Sequence, residues 1–190
     1  MSLPAPTITE LGDDLFALLR SRRTRAPLTT THAAIDIDDA YKISLRFLER
    51  RRAEGEKLIG KKIGVTSKPV QDMLGVHQPD FGFLLDKMHI ADGSTVSLSK
   101  AKLIQPRAEG EIAFVLAKDL KGPGVTEQQV LDATDYVSPC FEIVDSRIEN
   151  WKIKIQDTIA DNASCGVFVL GSAKVKPRFN RRRRYRRQPE

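Results

Sequence analysis

The apolar positions along the chain fall into two regimes. In "TITELGDDLFALLRSRR", Leu11, Leu15, Leu18 and Leu19 recur at helical spacing, with acids early and arginines late, which suits the helix dipole. A second helix is predicted over "DIDDAYKISLRFLERRRAEG", where Tyr41, Leu45 and Leu48 form one stripe and Gly55 can end it. "RSRRTRAPLTTTH" between them reads as a linker. From Leu58 onward the pattern changes to short β-like runs punctuated by turn residues. "KLIGKKIGVTS" alternates, placing Ile59, Lys61 and Ile63 on one face and Gly60, Lys62 and Gly64 on the other. "SKPVQDMLG" reads as a short helix with Ser67 as its cap and Gly75 as its stop. "STVSL", "EIAFVLAKDL", "SPCFEIVDSR" and "GVFVLGS" are further strand candidates, and "TEQQVLDATDYV" is helical from Thr126. The expected architecture is mixed α and β (α+β): a helical region over 1–57, a β-rich core over 58–173 and a basic tail over 174–190, with no internal repeat.

Composition changes this picture little. At 190 residues, 41% hydrophobic and 29% charged, the chain is ordinary globular material. The net charge of +6 is misleading, because residues 174–190 hold nine Lys or Arg against one acid, leaving the rest slightly acidic. Three readings of that tail compete: a basic arm that meets phosphates, a solvated disordered tail, or a missense end from a shifted reading frame or junction. An Arg run with a single tyrosine and no nucleic-acid fold behind it favours the last two. Cys140 and Cys165 lie in apolar surroundings without CxxC spacing and read as reduced, buried thiols. The N-terminus has no basic n-region, and no apolar run approaches the ~20 residues of a membrane span. A cytoplasmic protein is expected.

Several motifs are set aside. "GEKLIGKK" nearly spells a phosphate loop, but Lys62 stands where Ser or Thr should be. There is no G-x-G-x-x-G or G-x-S-x-G. His32, His77 and His89 are isolated, which argues against zinc. What remains is a set of carboxylates. Glu109 and Glu111 flank a glycine in "RAEGEIAFVL", and in an extended chain they share a face with like charges about 7 Å apart. A divalent cation would compensate them; so would water at a sheet edge. Glu142, with Asp145, Asp157 and Asp161 beyond it, could complete an oxygen-rich site of the kind Mg²⁺ prefers, or could form salt bridges with Arg147 and the lysines of "WKIKI". Lys62, with Gly60 and Gly64 on its own face, has room to face a ligand or is a surface lysine on an edge strand. Asp80 in "HQPDFGFLL" lies in a turn and could simply cap it.

Taken in order, "GKKIGVTS", "LGVHQPDFG", "IQPRAEGEIAFVL" and "CFEIVDSRIENWKIKIQDTIADNASCGVFVLG" resemble the 2-keto-4-pentenoate hydratases of the meta-cleavage pathway for aromatic compounds, in the fumarylacetoacetate hydrolase-like superfamily. The resemblance runs from about Leu11 to Gly171 and is dense after Gly60. It implies a fumarylacetoacetate hydrolase-like mixed β core and a Mg²⁺ or Mn²⁺ ion held by an E-x-E pair and a third glutamate, which fall on Glu109, Glu111 and Glu142. It also implies an active-site lysine at Lys62 and an aspartate at Asp80. The implied reaction adds water to 2-hydroxypenta-2,4-dienoate to give 4-hydroxy-2-oxopentanoate. The implied partners are the small-molecule dienoate, further copies of the chain, and a pathway partner enzyme. The 4-oxalocrotonate decarboxylases share the same motifs and are the second reading. The resemblance ends where "AKVKPRFNRRRRYRRQPE" begins, in a place where family members continue with more of the β core. A truncated homologue is therefore expected, and a non-enzymatic remnant or basic-tailed binding protein is the alternative outside enzymology.

Overall fold

The computed structural model describes residues 2–177. Helix α1 (Ala5–Ser21) buries Ile8, Leu11, Leu15, Phe16 and Leu19 along one stripe. A single helical turn, α2 (Leu28–Thr31), follows, and then α3 (Ile37–Ala53). Asp36 caps α3 by accepting the Asp39 amide at 2.8 Å, and the helix carries acids in its first turn and Arg50–Arg52 in its last. The two long helices approach closely at Gly12, where a side chain would meet Arg46 Cβ at 2.6 Å. The buried stripe of α3 is Ala40, Ile43, Phe47 and Leu48. The expected Tyr41–Leu45–Leu48 stripe is thus rotated, and Leu45 is exposed. The segment between α1 and α3 is more than a linker, since Leu28 is fully buried and Arg25 bridges to Ile148.

The rest of the described chain builds two sheets. Strand β1 (Leu58–Gly64) pairs antiparallel with β2 (Asp80–Leu85) across helix α4 (Lys68–Leu74), which ends at Gly75 in the left-handed conformation (φ 67°). Ser67 precedes α4 without making a capping hydrogen bond. The second sheet has the order β3-β6-β5-β4, from β3 (His89–Ile90), β4 (Arg107–Leu116), β5 (Thr134–Val144) and β6 (Cys165–Leu170). Helix α5 (Glu127–Ala133) opens with a capping box between Thr126 and Gln129. It stops before Thr134, because Tyr136 and Val137 pair with Val115 and Phe114; "TDYV" belongs to the strand. "STVSL" forms no strand. Its backbone turns on itself, Leu98 O accepting the Leu103 amide, and Leu103 rather than Leu98 is buried.

One core cluster joins α1, α2 and α3 to Ile148 and to helix α6 (Ile155–Ala160), so the helical region and the β-rich region share apolar packing. A second cluster packs Phe83, Leu85 and Met88 against Cys165, Phe168 and Leu48. Cys165 is buried and Cys140 partly so; both are free thiols. Val175 bridges antiparallel to Val137, so the start of the expected tail lies along β5. The readings made for its Arg run concern 178–190, outside the described residues. Among the described residues no helix is long and apolar enough to cross a membrane.

Candidate active site

Strand pairing brings the acids of two distant motifs together. Glu109 on β4 lies directly opposite Glu142 on β5, and Glu111 lies opposite Cys140, so all three carboxylates stand on one face of the sheet. On the facing hairpin, Gly64 pairs with Asp80 and Lys62 with Gly82. Lys62, Asp80, Glu109, Glu111 and Glu142 line a single cleft of about 380 Å³. The structure therefore gathers the five residues on which the family motifs fall, and it separates them from the other acids considered. Asp145 accepts the Ile104 and Gln105 amides and faces Arg147 at 3.6 Å. Asp161 holds the buried Arg147 through Nε at 2.5 Å. Asp157 caps α6 and accepts from Thr29. These three acids hold the frame.

Lys62 is neither solvated nor at liberty. Its side chain is 12% exposed, its Nζ donates to the Ala163 carbonyl at 2.9 Å, and it lies 3.3 Å from Glu142 Oε1. That carbonyl is presented by an unusual turn. Asn162, Ala163 and Ser164 have φ of 58°, 50° and 52°, three consecutive non-glycine residues in the left-handed region. Such residues cost roughly 1–2 kcal/mol each and persist only where their surroundings impose them. Here Asn162 bonds both the amide and the carbonyl of Phe83, at 2.7 and 3.0 Å, and Ser164 bonds Thr158 and the Asp145 amide. Gly82 makes room, since a side chain there would meet Asn162 O at 2.5 Å. Gly64 does the same for the pair beside it, because a Cβ would collide with Asp80 Oδ1 and crowd Lys62 Nζ.

The electrostatics are those of an acid-rich, partly buried cleft. Burial pushes the Glu142 carboxyl above the usual range, against the pull of Lys62 and the Cys165 thiol. Burial raises Asp80 likewise, again with Lys62 opposing. Burial acts to lower Lys62, but Glu142, Cys165 and Asp80 outweigh it and the net shift is upward. Cys165 is driven well above its ordinary value by burial and by Glu142, so it is no nucleophile. Asp80 Oδ1 is buried without a hydrogen-bond donor, whereas Glu142 Oε1 is ion-paired with Lys62 at 3.3 Å. A buried carboxylate oxygen left without a donor in an acid-rich cleft is the kind of exception that a ligand explains. Two cations, Lys62 and Arg107, face four carboxylates there. That surplus of hard oxygen donors suits a divalent cation. Among the described residues no three acidic, histidine or cysteine side chains converge on one point, so closure around an ion would fall to the exposed Glu109 and Glu111.

Two lining residues were not anticipated. Arg107 begins β4 on the same face as Glu109, and its guanidinium carbon lies 4.5 Å over the ring of Trp151, which also borders the cleft. "RAEGE" carried the signal for Arg107, read two residues too late.

The carboxylate-bearing sheet facing a lysine–aspartate hairpin defines a fumarylacetoacetate hydrolase-like α+β protein. A 4-oxalocrotonate decarboxylase from Pseudomonas putida G7, solved with magnesium and adipate, matches it with a TM-score of 0.87 at 33% identity, over 92% of this chain and 66% of that one. No protein-family model matches the chain. It is 65% identical over 171 residues to a 2-hydroxypent-2,4-dienoate hydratase of Pseudomonas putida, covering 90% of this chain and 77% of that protein. It is 68% identical over 166 residues to a 2-hydroxyhexa-2,4-dienoate hydratase of Comamonas testosteroni, covering 87% of this chain but 63% of that protein. The chain belongs to the 2-hydroxypentadienoate (2-keto-4-pentenoate) hydratase family.

Proposed function

We propose that the chain hydrates 2-hydroxypenta-2,4-dienoate to 4-hydroxy-2-oxopentanoate, with a divalent metal, Mg²⁺ or Mn²⁺, held by Glu109, Glu111 and Glu142. The observation that carries this reading is the meeting of those three glutamates with Lys62 and Asp80 in one cleft that retains a buried carboxylate oxygen, Asp80 Oδ1, without a donor. The metal, when bound, supplies Lewis-acid stabilisation of charge on the substrate's carboxylate and 2-oxygen. The chain's own groups do the rest. Asp80, its carboxyl shifted upward by burial and its Oδ1 unspent, takes the enol O–H proton and delivers it to C5, giving a conjugated 2-oxo-3-enoate. Water then adds, its hydroxyl to C4 and a proton to C3, with Asp80 orienting it. Lys62, kept charged and fixed by the Ala163 carbonyl, faces the developing negative oxygen. The same reading includes assembly into a homo-oligomer and association with a pathway partner enzyme.

Loss of the dienoate absorbance with Mg²⁺ present tests the activity. Lys62→Ala and Asp80→Asn are each expected to lower kcat by roughly 10²–10⁴-fold; near-normal turnover in either removes that residue from the mechanism. The likeness to a decarboxylase structure favours a second reading, decarboxylation of 4-oxalocrotonate. The higher identity to the hydratases ranks it second. Turnover of 4-oxalocrotonate without turnover of the dienoate would reverse that order.

A further inference from the structure

The two cations of the cleft are held in opposite ways. Lys62 is spent on Ala163 O and Glu142. Arg107 enters no ion pair among the described residues; its partner is the ring of Trp151. A cation held by an aromatic ring keeps its N–H donors for something else.

The ring itself is anchored. Trp151 Nε1 donates to Gln105 O at 3.0 Å. Gln105 in turn donates from its side chain to Ser146 O and Ile148 O, at 2.9 and 2.5 Å, and from its amide to Asp145 Oδ1 at 2.7 Å. Asn150 and Trp151 both have left-handed backbones, φ 55° and 56°, a conformation that ordinary residues keep only under constraint. The platform is therefore built before any ligand arrives. Arg107 precedes Glu109 and Glu111 on the same strand face, and the proposed function commits those two acids to a cation. A guanidinium fork beside such a cation matches a bidentate oxyanion, and the oxyanion that the proposed substrate carries is a carboxylate.

We infer that Arg107, stacked on Trp151, is the element that recognises the carboxylate of a planar 2-oxo or 2-hydroxy acid, with Trp151 as its positioning residue. This rests on the proposed function for the class of substrate, and it adds the group that selects an acid over a neutral ketone.

Trp151 is the sole tryptophan, so its emission reports arrivals at this end of the cleft. The full chain is titrated with 2-oxopentanoate and with 2-pentanone, with and without Mg²⁺, as wild type, Arg107→Ala and Arg107→Lys. Mn²⁺ affinity is measured alongside by electron paramagnetic resonance. The expected result is that Arg107→Ala weakens 2-oxopentanoate by about ten-fold or more. Arg107→Lys should fall between, and 2-pentanone should not distinguish the three. In calorimetry, Trp151→Phe should narrow the preference for acid over ketone while leaving Mn²⁺ affinity unchanged. Equal affinity of wild type and Arg107→Ala for 2-oxopentanoate, with and without Mg²⁺, overturns the inference, as does a wild type that does not bind it. Failure of wild type to bind Mn²⁺ overturns the metal reading instead, and the ratio measured without metal still decides Arg107.

Discussion

Strands β4 and β5 present two faces that invert the usual rule. On the cleft face, Glu142 is buried, its side chain 8% exposed, under the β1–β2 hairpin and the left-handed turn. On the opposite face, its neighbour Phe141 is 58% exposed, alongside Ile112 at 66% and Phe114 at 51%. The same alternation of an extended backbone sends carboxylates to the cleft face and large apolar groups to the other. Scattered apolar residues on a surface need no explanation, but a buried acid set among other carboxylates does. The contrast locates the chemistry on the covered face and an association-prone patch on the other.

The widest gap between the faces should appear in metal binding. Glu142→Gln keeps the volume of the side chain and removes its charge, whereas Phe141→Ser changes the residue beside it on the outer face. Losing an outer-shell partner costs about 10–100-fold in metal affinity, so losing a ligand should exceed about 100-fold. Phe141→Ser should leave Mn²⁺ affinity within a factor of about two, far below the outer-shell scale. Comparable losses in both variants would mean that Glu142 acts through the fold and not on the ion.

A second contrast is between glycines. At Gly64 an added methyl would strike Asp80 Oδ1 and crowd Lys62 Nζ, whereas Gly110, between the paired glutamates, has open space around it. Gly64→Ala should destabilise the chain by about 1–3 kcal/mol through overpacking, and should displace Lys62 and Asp80 from each other. Gly110→Ala should be nearly neutral in chemical denaturation. If Gly64→Ala is neutral too, the hairpin yields more easily than its packing indicates.

How much of this was legible depends on the range of each interaction. Period-two spacing was enough to put Glu109 and Glu111 on one face, and Gly64 beside Lys62 signalled room on that face. The helices were legible because their stripes are long, yet the rotation of α3's stripe away from Leu45 was set by packing against α1 and α6. "STVSL" has the composition of a strand, but nothing local says that Leu98 will turn back onto Leu103. Least visible was the Asn162–Ser164 turn, which contains no glycine. Its conformation is imposed by Phe83 and by the gap at Gly82, both on another hairpin. The Arg107–Trp151 contact is similarly long-range. Family resemblance supplied what spacing alone left open, namely which of two readings to prefer for Glu109, Glu111 and Glu142.

The smallest expected effect lies on the outer face, where it sharpens the comparison most. Substitutions of exposed residues away from special features usually change stability by no more than about 0.5 kcal/mol. Ile112→Thr with Phe141→Ser should therefore leave the melting transition almost where it was, since neither side chain is buried. Yet it should reduce concentration-dependent association in sedimentation, because the two residues sit on adjacent strands of one contiguous apolar face with Phe114 and Val175. A large drop in melting temperature would show that this face packs against something in solution; unchanged association would show that the patch is inert. Either outcome would leave the cleft face as it stands, because alternation along β5 separates Phe141 from Glu142 by one residue and by the whole thickness of the sheet.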